Sequence, residues 1–406
     1  MILQFASRYF IAKKSTQAIN IISWVSMIAI AVGAAALIIV LSVFNGFEDL
    51  VKSLYSSFYP ALKVSPVEGK TILVPPDTLR QLHAVPGIKD IAEVLEEKAV
   101  LQYNNGGEVI AVLKGVQRNY RDVSGIAQRI VRGEYNTGRT DAPTAVVGVG
   151  VEAALGIDVK RSFIPLAIYM PDRHVRQFLS PEQALKRGQI YPVGAFAIQQ
   201  DFDDHYVITN LDYLRSLLDL KPGEVSALEI SLKIPEDMDA VKQRVQQLLG
   251  SRYQVQTRYE QNRSLYNVME VEKWAVYAIL SFILIIAAFN MIGSLSMLVI
   301  EKEKDITILK AMGMRNSGVR RIFLAEGMLI ALVGAAIGIF IALALCLLQQ
   351  HFGLIRIPGD SFVVQAYPVS MQGSDFILVS VTILVIALLA SWYPALRASR
   401  QEVRLN

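Results

Sequence analysis

Four stretches of this sequence contain no charged residue: 21–44, 274–300, 327–350 and 376–396, of 24, 27, 24 and 21 residues. Each meets the roughly 20-residue length that a helix needs to cross a hydrocarbon core, and a soluble core helix seldom runs so far uncharged. All 76 charged side chains therefore fall on the other 310 residues, about a quarter of them, the density of an ordinary soluble protein. A purely soluble enzyme is excluded. So is a compact membrane bundle, because more than 220 residues of globular composition separate the first run from the second.

Short-segment charge sets the expected orientation. Arg8, Lys13 and Lys14 precede the first run; Lys302, Lys304, Lys310, Arg315, Arg320 and Arg321 lie between the second and third; Arg397, Arg400 and Arg404 follow the fourth. The segment joining the third and fourth runs has only Arg356. Both termini (an amphipathic 1–20 and a tail 397–406) and the loop 301–326 are expected in the cytoplasm, with the domain 45–273 and the loop 351–375 outside. Residues 45–273 hold 27 basic and 29 acidic side chains, so the formal net charge of +4 is an orientation signal and argues against a nucleic-acid partner. The lone cysteine, Cys346, falls in the third run, so the domain can hold no disulfide. Ala34-Ala35-Ala36 could mark signal-peptide cleavage, but the apolar run continues to Phe44 and reads as an uncleaved first span.

Within the domain, 61–66 reads as a strand, Pro75-Pro76-Asp77 opens a helix through His83, and 91–102 and 108–116 read as strands around Asn104-Asn105-Gly106-Gly107. At the far end, 227–234 alternates as a strand, 236–249 has apolar residues at helical spacing, and 253–257 alternates again. The two ends, 45–116 and 207–258, are expected to form one α+β unit. Between them, 117–206 has recurrent Gly and Pro and short apolar runs, which predicts a β-rich insert. A polar helix over 259–273 is expected to lead into the second span as a stalk.

No nucleotide-binding GxxxxGK[ST], HExxH, CxxC or GxSxG motif occurs, and the four histidines are scattered. His205 beside Asp201, Asp203 and Asp204 reads as a solvated acidic turn. Spans without ionisable residues lack the relay of a secondary transporter, so an energy source must come from another chain. Asn290 in the second span is expected to bond a neighbouring helix inside a bundle. Gly334 and Gly338, with Ala331, Ala335 and Ala342, form a small-residue stripe for close helix packing. In the loop 301–326, Asp305 is a suitable N-cap, Ile306, Leu309, Lys310 and Met312 can share one helix side, Gly313 suits C′, and Asn316 or Ser317 can cap the next helix. This short helix is either a connector on the headgroups or a lever for a cytoplasmic motor.

The run Asn290-Met291-Ile292 to Glu301-Lys302, then Asp305-Ile306-Thr307-Ile308-Leu309-Lys310-Ala311-Met312-Gly313, resembles the permease signature of the FtsX/MacB/LolC superfamily of ABC transporters. So does Tyr393-Pro394-Ala395-Leu396-Arg397-Ala398-Ser399. Arg8-Tyr9-Phe10 and the run from Ile38 to Asn45-Gly46-Phe47 narrow the resemblance to the lipoprotein-releasing LolC/LolE type. It implies four transmembrane helices and a large extracytoplasmic α+β domain, with a Porter-like part and a β-rich Sabre-like insert. It further implies a bacterial inner-membrane permease that extracts lipoproteins from the outer leaflet and hands them to a LolA-like periplasmic chaperone. A separate LolD-like ATPase dimer would bind ATP and Mg, so this chain would carry no cofactor, no metal and no catalytic residue. A second permease copy, identical or related, would complete the complex.

The resemblance places a lipoprotein cleft at Leu37, Ile38, Leu41, Phe44, Asn45 and Phe47 of the first span and Trp274, Tyr277, Ala278, Leu280 and Leu284 of the second. It places ATPase coupling at Glu301, Lys304, Asp305, Ile306, Leu309, Lys310, Met312 and Gly313. The basic segment 171–194 stands where the family has a chaperone-gripping hook, with Arg173, Arg176, Phe178, Lys186 and Arg187 as candidates, although it has fewer prolines and more charge than such a hook. The competing function class is an FtsX-like mechanotransmission protein that activates a periplasmic hydrolase without transport.

Overall fold

The computed structural model describes residues 17–104, 106–161, 163–171, 185–234, 237–357 and 366–401, with side chains from residue 23 onward. Most of the amphipathic segment expected at 1–20 lies outside them. The chain divides into two units, Met1–Leu50 with Asn267–Asn406, and Val51–Tyr266.

Among the described residues, four helices are long and apolar enough to cross a membrane. They lie within helices Gln17–Phe58, Arg263–Glu301, Asn316–Phe352 and Gly373–Ser399, joined in one case by a short helix Glu303–Ala311. The span helices overrun their charge-free runs; the first extends 14 residues beyond Phe44, through Glu48, Asp49 and Lys52. Their core is apolar, built from Ile30, Leu37, Ile38 and Leu41, from Leu284, Met291 and Leu295, from Ile330 and Ala331, and from Val379 and Ile383. The small-residue stripe does what its size dictates. A Cβ on Gly338 would fall 2.3 Å from Ala31 O and one on Gly334 2.8 Å from Met27 O, so glycine lets the third span helix touch the backbone of the first. Asn290 departs from expectation: it is exposed rather than enclosed.

In the second unit the strands are β1 (Leu62–Pro66), β2 (Ile72–Leu73), β3 (Ile88–Tyr103), β4 (Glu108–Val116), β5 (Ile130–Gly133), β6 (Thr144–Gly148), β7 (Leu166–Pro171), β8 (Leu185–Phe196), β9 (Tyr206–Asn210), β10 (Glu224–Val225), β11 (Ala227–Leu232) and β12 (Tyr253–Thr257). Ten of them form one sheet, in the order β12-β1-β11-β3-β4-β9-β6-β8-β5, with β7 between β3 and β8. The open part, β12 to β3, packs helices Pro76–His83 and Met238–Leu249 over a core of Leu62, Leu82, Ile91, Ile230 and Val241.

The rest closes. β3 pairs β4, β4 pairs β9, β9 pairs β6, β6 pairs β8, β8 pairs β7, and β7 returns to β3 through Val100↔Tyr169 to Tyr103↔Leu166. The six strands form a ring filled by Leu95, Leu101, Leu113, Val147, Ile168, Ile190 and Val207. Closure leaves these strands without open edges, which removes a route to aggregation. The sequence partition at 116/117 does not separate two sheets, because 16-residue β3 serves the open part with one half and the ring with the other.

A third cluster holds Tyr55 and Phe58 from the end of the first span helix against Phe202, Tyr120 and Ile208. Phe58 stacks on Phe202 with ring centroids 4.2 Å apart. Beneath it lies a buried lysine. Lys114 Nζ donates to Glu229 Oε1 at 2.7 Å, sits 3.1 Å from Glu96 Oε1 and lies 4.7 Å from the Phe58 ring centroid. Tyr120 Oη donates to the other Glu229 oxygen at 2.9 Å. Burial alone would raise the Glu96 carboxyl, but the ammonium groups of Lys114 and Lys63 outweigh it and lower it to about 2. For Lys114, burial opposes the charge, and Glu229, Tyr120 and Glu96 reverse that, holding it well above its usual value.

Candidate functional site

The Asn45-Gly46-Phe47 motif sits in a continuous helix, yet each of its residues fastens that helix to something else. Asn45 is fully buried. Its Nδ2 donates to Asp375 Oδ2 at 2.5 Å, in the first turn of the fourth span helix, and at 3.4 Å to Ser370 O. Its Oδ1 accepts from Lys273 Nζ of the second span helix at 2.7 Å. A Cβ on Gly46 would stand 2.3 Å from Pro368 O, so only glycine admits the segment before the fourth span. Phe47 meets Tyr367 edge-on, with centroids 5.8 Å apart, and Ser370 N donates to Ser42 O at 2.9 Å. An amide can serve a carboxylate and an ammonium at once because it both donates and accepts. The result is a polar joint among three spans and a loop. Lys273, Ser370 and Asp375 are the residues that sequence reading missed.

The residues expected to line a cleft are divided. Leu37, Ile38, Leu41 and Leu284 are buried in the helix core, and Asn45 belongs to the joint. Phe44, Phe47, Tyr277 and Leu280 are half-buried, whereas Trp274 and Ala278 are exposed. Around them on the second span helix Ile279, Phe282, Ile283, Ile286 and Phe289 are also exposed. Beside the joint, on the side of the first and third span helices, lies an apolar cavity of ≈ 430 Å³ bounded by Ile39, Val43, Leu345, Cys346 and Ile355.

The short helix Glu303–Ala311 starts earlier than expected: Lys302 is the N-cap and Asp305, 3.4 Å from Lys302 Nζ, lies in the first turn. Its end matches expectation. Gly313 has φ +92°, with Gly313 N donating to Lys310 O (2.9 Å) and Met314 N to Leu309 O (3.0 Å), the paired bonds of a left-handed helix stop. The expected common face of Ile306, Leu309, Lys310 and Met312 divides. Ile306 is buried among Leu298, Val299, Val319, Phe323, Ala395 and Ala398, so it anchors the helix to its neighbours. Lys310 Nζ turns to Ser399 O (2.8 Å) and Gln401 O (2.7 Å), capping the last span helix, where a cation complements the helix dipole. Leu309 is half-buried, and Ile308 and Met312 are 57% and 71% exposed. Glu301 is half-buried and Lys304 exposed. The next helix begins at Asn316 with Arg315 as N-cap, not Asn316 or Ser317.

In the segment 171–194, much of what reads as a loop is strand. β8 begins at Leu185 and pairs with β7 from Pro171↔Leu185 to Leu166↔Ile190. Arg173, Arg176 and Phe178 lie outside the described residues. Lys186 is paired with Asp219, and the Arg187 guanidinium lies 5.6 Å from the Tyr169 ring centroid. These two cations therefore brace the base of a hairpin.

Two family models cover the chain: the MacB-like periplasmic core domain matches residues 23–248 and the FtsX-like permease C-terminal region matches residues 277–403. The chain is similar to the lipoprotein-releasing system transmembrane protein LolC of Xylella fastidiosa (strain 9a5c), 26% identical over 412 residues, spanning 97% of this chain and 95% of that protein. It is equally similar to LolE of Haemophilus influenzae (strain ATCC 51907 / DSM 11121 / KW20 / Rd), 26% identical over 412 residues and 97% and 96% of the two chains. Among solved structures, the periplasmic region of MacB from Actinobacillus actinomycetemcomitans aligns with 54% of this chain and 98% of that one, at 10% identity and a TM-score of 0.36. With four apolar helices, a domain matched by the MacB-like periplasmic core and a C-terminal half matched by the permease model, the chain belongs to the MacB-like periplasmic core family, within the LolC/LolE group of the FtsX/MacB superfamily.

Proposed function

We propose that this chain is the permease subunit of an ABC transporter that extracts lipoproteins from the outer leaflet of the bacterial inner membrane and passes them to a LolA-like periplasmic chaperone. The observation that carries this reading is the similarity to lipoprotein-releasing LolC and LolE proteins over 97% of the chain. In this reading both termini and the loop 301–326 are cytoplasmic, in keeping with their basic charge, and the domain is periplasmic. A LolD-like ATPase dimer supplies the energy, binding ATP and Mg, and meets the exposed side of the helix Glu303–Ala311 at Ile308 and Met312. Movement there reaches the spans through buried Ile306 and through Lys310 on the last span helix, and the Asn45 joint keeps the spans moving together at the periplasmic side.

Lipid anchors need apolar surface rather than specific polar contacts, at about 0.8 kcal/mol per buried methylene. The exposed second-span face and the cavity beside Val43 offer such surface. Exposed Asn290 favours a second permease copy on the second-span face, because an amide facing lipid is costly. The segment 171–194 carries the chaperone-gripping element. The FtsX-like match of residues 277–403 also fits a mechanotransmission protein that activates a periplasmic hydrolase. Affinity purification in mild detergent separates the two: an ATPase, two permease copies and acylated lipoprotein are expected, and a hydrolase without lipoprotein would overturn the proposal.

A further inference from the structure

The domain carries a chamber of ≈ 580 Å³ whose lining, among the described residues, includes Arg118, Arg121 and Arg139 and no carboxylate. Each arginine grows from a fixed backbone. Arg118 stands between Gln117, which accepts from Glu93 N at 3.1 Å, and Asn119, which donates to Ile91 O at 2.8 Å. Arg121 follows fully buried Tyr120, whose hydroxyl is held by Glu229. Arg139 tops a turn closed by reciprocal Arg139 N to Ala142 O and Ala142 N to Arg139 O bonds, and Asn210 Nδ2 donates to Gly138 O beneath it. Gly138, at φ +71°, is required there, since a Cβ would meet Ala142 O at 2.4 Å.

The acids nearby do not neutralise this set. Asp122 lies 3.9 Å from Arg121 and Asp141 3.5 Å from Arg139, in pairs that are mostly exposed and therefore weak. Asp212, on the adjoining cavity, is taken by Arg215 at 2.6 Å. Tyr135 also lines the chamber, and its hydroxyl oxygen is buried with no hydrogen-bond partner among the described residues. Burial pushes that phenol well up, against the pull of Lys114 and Arg121, so it remains a donor. Guanidinium forks match the oxygen geometry of phosphate.

We propose that this chamber binds a phosphate ester, its oxygens held by Arg118, Arg121 and Arg139. The ester can come from a phospholipid headgroup or from a soluble metabolite. The test uses the full chain in a neutral maltoside detergent, titrated calorimetrically with inorganic phosphate and with glycerol 3-phosphate. Saturable binding of both is expected. Arg118→Ala and Arg139→Ala should each weaken it about tenfold or more, the scale of one charge-assisted hydrogen bond, with unfolding temperatures unchanged. Arg118→Lys should fall between, keeping the charge and losing the fork. Native mass spectrometry from nanodiscs containing phosphatidylglycerol identifies the source. Lipid retained by the native chain and lost in Arg118→Ala marks a headgroup; no retained lipid alongside glycerol 3-phosphate binding marks a soluble ester. No saturable binding of either probe, or equal binding by the arginine variants, overturns the proposal.

Discussion

Replacing Gly46 by alanine adds one methyl group to the first span helix at the joint. That carbon would lie 2.3 Å from Pro368 O and 2.7 Å from Val369 N, both backbone atoms, so the segment must retreat by about an ångström to reach ordinary contact. Retreat strains the Ser370 N to Ser42 O bond of 2.9 Å and the Phe47–Tyr367 contact. Overpacking costs about 1–3 kcal/mol and a lost buried hydrogen bond about 1 kcal/mol. The gain in helix propensity from glycine to alanine offsets up to about 1 kcal/mol. A net loss of about 1–3 kcal/mol is expected, several degrees in the unfolding temperature of the purified chain in detergent. Gly33→Ala in the same helix is the control, because its Cβ would meet only the Leu284 side chain at 3.4 Å and should be neutral or stabilising. If Gly46→Ala unfolds no earlier than Gly33→Ala, the joint is not closely packed and the reasoning fails.

Lys114→Met leaves Glu229 and Glu96 without their central cation and should cost about 3–5 kcal/mol in thermal or denaturant unfolding, with Glu229→Gln recovering part of it; a loss below about 1 kcal/mol would contradict the buried cluster. Burial raises the Asp203 carboxyl from 3.8 to about 6, so its protonated form is favoured on folding. That contribution is present below pH 3.8 and is lost as pH rises through about 6, and Asp203→Asn should remove this slope from a plot of unfolding temperature against pH. Met312→Glu should leave the fold intact and uncouple ATP hydrolysis from release, whereas Ile306→Glu should destabilise the chain by burying a charge; paired ATPase and unfolding measurements distinguish them. Deleting 172–184 and closing the hairpin with a short turn should preserve expression and ATPase activity but abolish chaperone pull-down; the cut must spare Leu185–Gln189, which pair with β7.

The four spans were legible because membranes forbid charge over a fixed length, and the strands at 62–66, 108–116, 227–232 and 253–257 because alternation survives wherever one face is buried. The reach of the first span helix to Phe58 was not, since past Phe44 it carries the charges of an exposed helix. The ring was hidden for a different reason. Its closing pair joins β3 to β7, 60 or more residues apart, and a strand's pattern shows which face is buried but not its neighbour. Lys114 and Glu229 sit on strands where charge ordinarily signals solvent, and only their mutual pairing makes burial tolerable. For the joint, Asn45-Gly46-Phe47 was visible as a motif, but Lys273 and Asp375 lie 228 and 330 residues away in sequence.

Lipoprotein release is tested by ATP-dependent transfer of an acylated lipoprotein out of the membrane. The chain, with its co-purified ATPase and the lipoprotein, is reconstituted into proteoliposomes and supplied with a soluble LolA-like chaperone. After sedimentation, lipoprotein is expected in the supernatant bound to chaperone, dependent on ATP and reduced by Met312→Glu. ATP hydrolysis that proceeds while all lipoprotein stays with the membrane pellet would contradict it.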